Sequence, residues 1–184
     1  MAVSSEPSAA TAWQIDPAHT LVEFSVKHMM FTTVKGRFGG VSGTIVEDVT
    51  DPSRSSVDVE IDAATIDTRE EKRDAHLKSP DFLHAEAHPL ITFKSTRVEK
   101  AGDDRLRVTG DLTIAGSTRS VVLDTTVNGR GVTPFGTTAA GFSAETSINR
   151  KDFGLNWNVA LEAGGVLVGD QIKISLEIEA VKQS

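Results

Sequence analysis

The 184-residue sequence predicts an all-β protein of about eight antiparallel strands, and three observations carry that expectation. Apolar and polar residues alternate with period two along most of the chain. Turn-forming residues interrupt the alternation at short intervals. A single stretch breaks the pattern and reads as helical. Alternation gives each strand one apolar and one wet face, as in antiparallel sheets rather than in parallel sheets buried on both sides.

Residues 1–12, MAVSSEPSAATA, show no such alternation and are read as a disordered lead-in to a single domain over 13–182. A short strand at 13–16 joins loosely to one at 20–28, where Val22, Phe24 and Val26 oppose Glu23, Ser25 and Lys27. Strands at 36–49 and 55–66 follow, linked at Asp51-Pro52, with Val57, Val59 and Ile61 opposing Asp58, Glu60 and Asp62. Residues 68–79, TREEKRDAHLKS, are rich in helix formers. Thr68 with Glu71 fits a capping box, and Pro80 pushes the residue before it out of the α region. A helix is therefore expected at about 69–79. Strands at 90–101 and 104–115 flank the turn residues Ala101-Gly102-Asp103, and strands at 119–129 and 137–149 flank Asn128-Gly129. The last strand, 170–182, sets Ile172, Ile174, Leu176 and Ile178 against Lys173, Glu177 and Glu179.

Eight such strands must bury their apolar faces, as a two-sheet sandwich or as a closed barrel. A barrel of eight strands is just wide enough to be filled by side chains or to hold one small ligand. Its inward positions here are mostly Val, Ile and Leu, with eight Phe and no Tyr in the chain. Periodicity alone leaves a solid sandwich core and a hollow barrel both open.

Composition narrows the function. A net charge of −7 argues against nucleic acid, which needs a basic footprint, and against electrostatic docking on anionic lipid. The absence of cysteine removes thiolate nucleophiles and cysteine-based zinc sites. No run approaches the 18 or so apolar residues of a membrane-spanning helix. The N-terminus lacks a basic n-region and an apolar h-region, so a cytoplasmic location is expected.

Three histidines, His76, His84 and His88, fall among Asp74, Asp81 and Glu86. A metal site would need three or four ligands converging at about 2 Å. Helix termination at Pro80 separates His76 from the others, and Pro89 is expected to hold His88 extended. The stretch is therefore read as a helix and crossover closing one barrel end, with no metal assigned. Asp152-Phe153-Gly154 lacks the other segments of a kinase, and no G-x-S-x-G elbow is present. No catalytic residue is assigned. Gly164-Gly165 reads as a mobile loop near a cavity mouth.

Five segments occur in order: WQIDPAHTLVEFSVKHMMFTTVKGRFGGVSGTI, IDTREEKRDAHLKSPDFLHAEAHPLITFKS, VTGDLTIAGSTRSVVL, INRKDFGL and VGDQIKISLEIEA. Over roughly residues 13–181 this combination resembles the YceI-like family of bacterial lipocalin-like proteins. The resemblance implies an all-β, extended antiparallel β-barrel of about eight strands, with one short helix at about 69–79 and an elongated apolar cavity. It also implies non-enzymatic binding, storage or transport of a polyisoprenoid, an isoprenoid quinone or a similar amphiphilic lipid. It implies no required cofactor beyond that ligand, and homodimers as a partner state. The family often carries two consecutive Phe after the helix and a bulky aromatic after KGRF. Here Leu83-His84 follows Asp81-Phe82, and Gly39-Gly40-Val41 follows Phe38, so ligand preference is expected to differ. The alternatives are an enzyme acting on a lipid-like molecule at the mouth, through His28 or His76, and a stress or structural protein with a filled barrel.

Alternation nominates Phe24, Val26, Met30, Phe31, Phe38, Phe93, Leu112, Ile114, Phe142, Ile148, Leu155, Trp157, Ile174 and Leu176 as cavity lining. His28 and Arg150 are candidate head-group contacts. For Arg150 a salt bridge to Asp67 or Asp74 is the favoured reading, because a buried arginine must be paired.

Overall fold

Alternation becomes strand almost everywhere it was found. The computed structural model describes residues 10–184. In chain order the elements are β1 (Ala10–Ile15), β2 (Leu21–His28), β3 (Thr32–Phe38), β4 (Val41–Asp48), β5 (Ser56–Asp62), α1 (Glu71–Lys78), β6 (Leu90–Gly102), β7 (Arg105–Ile114), β8 (Ser117–Val132), β9 (Thr138–Asn149) and β10 (Val168–Lys182). All strand pairs are antiparallel, in the order β1-β4-β5-β6-β7-β8-β9-β10-β2-β3, with β1 also paired to β10.

That last pairing closes the sheet into an eight-position barrel. One edge of β10 is shared. Its Ile172–Glu177 stretch pairs with β2, and Ala180–Lys182 pairs with Ile15–Trp13 of β1. Beyond them β3 extends β2, and β4 extends β1. β1 and β2 are thus two halves of one barrel position, and β3 and β4 two halves of the next. Where β3 parts from β5, the seam is held by two backbone bonds, from Arg37 N–H to Asp67 O (2.9 Å) and back (2.8 Å).

The breaks have local causes. Between β1 and β2, Pro17 removes a donor and Asp16 accepts from Ala18 N–H, forming a 3₁₀ turn at Pro17–His19. The strand expected at 36–49 is interrupted at Gly39-Gly40, whose N–H groups both donate to Thr65 Oγ1 (3.2 and 3.1 Å). The strand expected at 55–66 stops at Asp62, which caps a 3₁₀ turn over Ala63–Thr65. Asn128-Gly129 is a bulge inside β8 and not a hairpin link; the register shifts between Val127 and Gly129. The β8–β9 turn comes later, where Thr133 N–H donates to Thr137 O (2.7 Å). Ala10, Thr11 and Ala12, read as part of the lead-in, pair with Asp48, Glu47 and Val46; residues 1–9 lie outside the described residues.

The helix also differs at its start. Glu70 is the N-cap and accepts from Lys72 and Arg73 N–H. Thr68 makes no capping box. It is buried and donates its hydroxyl (2.5 Å) and N–H (2.8 Å) to Asp74 Oδ1, while Arg73 Nε donates to its Oγ1 (2.8 Å). These bonds tie α1 to the seam instead of starting it. The C-terminus is at Ser79, ahead of Pro80, as expected.

The inward face is unevenly covered. On β6, β7 and β9 the inward side chains Phe93, Val108, Leu112 and Phe142 are buried. On β5 and β10 the inward Val57, Val59, Ile61, Ile172, Ile174 and Leu176 are only half-buried. A well-filled interior would cover all of them equally; these face open space.

Candidate functional site: an apolar cavity with a buried charge at each end

That space is a cavity of about 240 Å³ inside the barrel. Room for one water centre is about 10–15 Å³, so this is a true cavity and not a packing defect. Its wall comprises 37 residues, and all but Glu47, Ser55, Thr125, Thr146 and Arg150 carry apolar side chains. Every predicted lining residue except Met30, Phe31 and Trp157 is part of the wall. Twenty-five of the 37 wall residues are not among the lining and head-group residues nominated from the sequence. Phe82 and Leu83 reach it from the loop after α1, and Leu77 from α1 itself.

The three exceptions have reasons. β2 ends at His28, and Met29 and Met30 both adopt positive φ (56° and 68°). Alternation stops there, and the turn carries Met30 and Phe31 outward to 62% and 75% exposure. Trp157 lies over α1. Its ring centroid is 4.6 Å from His76 and 5.5 Å from Phe82. His76 Nε2 also donates to Asp81 Oδ2 at 2.9 Å. This cluster fixes the helix and the segment after it against the cavity end, since Phe82 is itself part of the wall.

His28 is not part of the cavity wall. Its carbonyl accepts from Thr32 Oγ1 (2.9 Å) and Phe31 N–H (3.3 Å), which holds the β2–β3 turn. Arg150 is part of the wall, at 2% exposure, yet its donors are spent on the protein. Nε donates to Gly169 O (2.8 Å), Nη1 to Leu155 O (2.6 Å) and Trp157 O (2.9 Å), and Nη2 to Val168 O (3.3 Å). Its nearest carboxylate is Asp170, 3.9 Å away, and neither Asp67 nor Asp74 pairs with it. Asp74 is taken by Thr68, and Asp67 accepts from Arg69 N–H. Burial pushes the guanidinium pKa down and Asp170 pulls it back up. Arg150 thus staples the 154–169 segment to the barrel end.

The opposite end holds a charge that alternation could have flagged. Val41, Ile45 and Glu47 share one face of β4, so an acid occupies an inward position. Glu47 is 6% exposed. Arg130 of β8 grips both of its oxygens, with Nε donating to Oε1 at 3.1 Å and Nη2 donating to Oε2. Ser55 and Thr125 are the other polar wall residues near this end.

The histidine stretch forms no metal-like cluster among the described residues. His84 and His88 are nevertheless close to each other. An α-turn from His88 N–H to His84 O (2.9 Å) puts the two rings 5.8 Å apart. Among the described residues, the His and carboxylate group with metal-like spacing is Asp16, His19 and Glu179. His19 Nδ1 and Asp16 Oδ2 are 2.8 Å apart and hydrogen-bonded to each other.

With this geometry in hand, comparison with known proteins is direct. The YceI-like domain matches residues 13–180. Protein YceI of Escherichia coli O17:K52:H18 is 36% identical over 182 residues, covering 98% of this chain and 92% of that protein. The crystal structure of a Campylobacter jejuni YceI protein superposes with a TM-score of 0.72 at 32% identity, covering 86% of this chain and 90% of that one. A polyisoprenoid binding domain from Saccharophagus degradans, implicated in plant cell wall breakdown, has the same fold. Its TM-score is 0.71 at 12% identity, over 94% of this chain and 99% of that one.

Proposed function

From the premise that the chain belongs to the YceI-like family, we propose that it binds and carries a long-chain isoprenoid or similar amphiphilic lipid without chemical turnover. The observation that carries this reading is the cavity wall, apolar at all but five of 37 residues. Removing an isoprenoid chain from water into such a wall gains about 25 cal/mol per Å² buried. The polyisoprenoid-binding neighbour of the same fold supports the same ligand class. The open space along β5 and β10 weighs against a barrel filled by its own side chains. A cytoplasmic location is part of the proposal and is checked by fractionation of cells.

Arg150 is occupied by carbonyls, so the polar end of the ligand is assigned to the half of the cavity that holds Glu47, Ser55 and Thr125. The test is purification, organic extraction and mass spectrometry, followed by uptake of a long-chain isoprenoid by emptied protein. A co-purifying or readily taken-up lipid is expected. Leu112→Asp and Phe142→Arg should lose it, with circular dichroism to confirm that the barrel persists. Absence of both co-purification and uptake would overturn the proposal.

A further inference from the structure

Two side chains nominated for the cavity stand instead in solvent, and the reason they do so is informative. The β2–β3 turn places Met29 and Met30 at φ of 56° and 68°, with Phe31 N–H bonded to His28 O (3.3 Å). Positive φ at both central positions is the sign that a type I′ turn requires, and Asn-Gly is the pair that suits it. Two methionines there strain the backbone. They are followed by a phenylalanine 75% exposed, while Met30 is 62% exposed. Strain combined with outward apolar side chains at one turn points to function rather than to folding.

The charge around this turn is unlike that of the whole. Between Glu23 and Glu47 the sequence contains Lys27, Lys35 and Arg37 and no acidic residue, in a chain of net charge −7. Lys27 and Lys35 are exposed at the neck of the hairpin, where Lys27 Nζ donates to Thr33 Oγ1 (3.0 Å). Screening at physiological salt limits exposed charges to about 8 Å. The hairpin's own positive charge, and not the distant acidic surface, is what a surface pressed against the tip would meet. The adjoining loop extends the apolar face. Val159 and Val166 are 46% and 37% exposed, Met29 N–H donates to Leu167 O (2.9 Å), and Gly165 packs beneath Met30. Glu162 is the acidic side chain of that loop. The cavity wall comes within two residues of the turn, at Val26.

We propose that the β2–β3 hairpin is a docking tip for an anionic lipid bilayer, with Met30 and Phe31 entering the boundary between head groups and acyl chains and Lys27 and Lys35 meeting lipid phosphates. Apolar side chains with flanking lysines are the pattern by which interfacial segments hold a bilayer surface. Docking rests on the cargo reading only for its purpose; it requires no lipid in the cavity. It revises the expectation from net charge, which averages over a surface that the bilayer never touches.

The test is flotation of the full chain with phosphatidylcholine vesicles, with and without phosphatidylglycerol, at low and high salt. Binding is expected to favour phosphatidylglycerol and to fall with salt. Phe31→Ser should weaken it about tenfold, and Lys27→Glu with Lys35→Glu should remove the preference, at about fivefold per lysine. Met29→Asn with Met30→Gly relieves the turn, so it should keep or raise Tm while binding falls. Phe135→Ser, at the 91%-exposed tip of the β8–β9 hairpin, should change nothing. Equal binding by wild type, Phe31→Ser and the lysine double variant would overturn the proposal. So would a dimer, seen by light scattering, that is lost in Phe31→Ser without any vesicle binding. Isoprenoid uptake measured on the same variants separates the two readings, because an undocked protein should still fill its cavity in detergent.

Discussion

The two ends of the barrel each bury one charge in the cavity wall, and they satisfy it in different ways. At the α1 end Arg150 donates to four backbone carbonyls of one segment. At the far end Glu47 is gripped by the side chain of Arg130. The first arrangement fastens a loop, and no other side chain can stand in for the cation. The second is a pair that can be exchanged as a unit. The comparison teaches which end is scaffold and which holds a pair open to exchange.

Breaking the scaffold end should have the largest effect. Arg150→Met leaves buried carbonyls of the 155–169 segment without donors, a loss of about 3–5 kcal/mol, read as the drop in Tm and as exchange protection lost over residues 154–169. At the pair end, Arg130→Met leaves Glu47 buried and unpaired, and about 2–3 kcal/mol should be lost. Adding Glu47→Leu should restore most of it, because removing both partners of a buried pair is often near neutral. A double variant no better than Arg130→Met alone would show that the pair is more than an exchangeable unit. Gly165→Ala should come next. Its Cβ would lie 2.1 Å from Met30 Sδ, at a φ of +86°, so Tm should fall by a few degrees, about 1–2 kcal/mol.

The smallest effects are in pH. Near the far end, hydrogen bonds to Asp16 raise the pKa of His19, with Glu179 adding to it. Its contribution is complete below the ordinary value of 6.5 and fades as pH rises through the higher folded-state value. Tm should therefore ease slightly across neutrality, and His19→Gln should remove that slope. Asp48 is lowered by the Asp51 N–H and by Thr50. Its contribution is present above 3.8 and is lost as pH falls through the lower folded-state value, so wild-type Tm should fall more steeply with acid below 3.8 than the Tm of Asp48→Asn does.

What could be read in the sequence followed from local rules. Val22, Phe24 and Val26 lie on one face because strand periodicity is two, and Pro80 ended α1 because of the chain just before it. What could not be read depends on distant partners. Arg130 and Glu47 are 83 positions apart, and nothing near either announces the other. Gly39-Gly40 looked like part of a continuous strand, because the hydroxyl that turns the chain there is on Thr65. Met30 and Phe31 fit the apolar pattern of a cavity; only the sign of φ at the turn, a backbone property, sends them outward. Arg150 was expected to find a carboxylate, and carbonyls from a later segment reached it first.

The shared edge of β10 has a consequence in time. Trp13 is paired with Lys182 and Ile15 with Ala180, so the ring closes with contacts that span nearly the whole chain. Closing so long a loop is the slow part of forming a β topology. While the chain is still being made, the β1–β4 edge has no partner strand and stays open to any other strand that passes. The cavity therefore closes in one late step, only once β10 is in place beside β1.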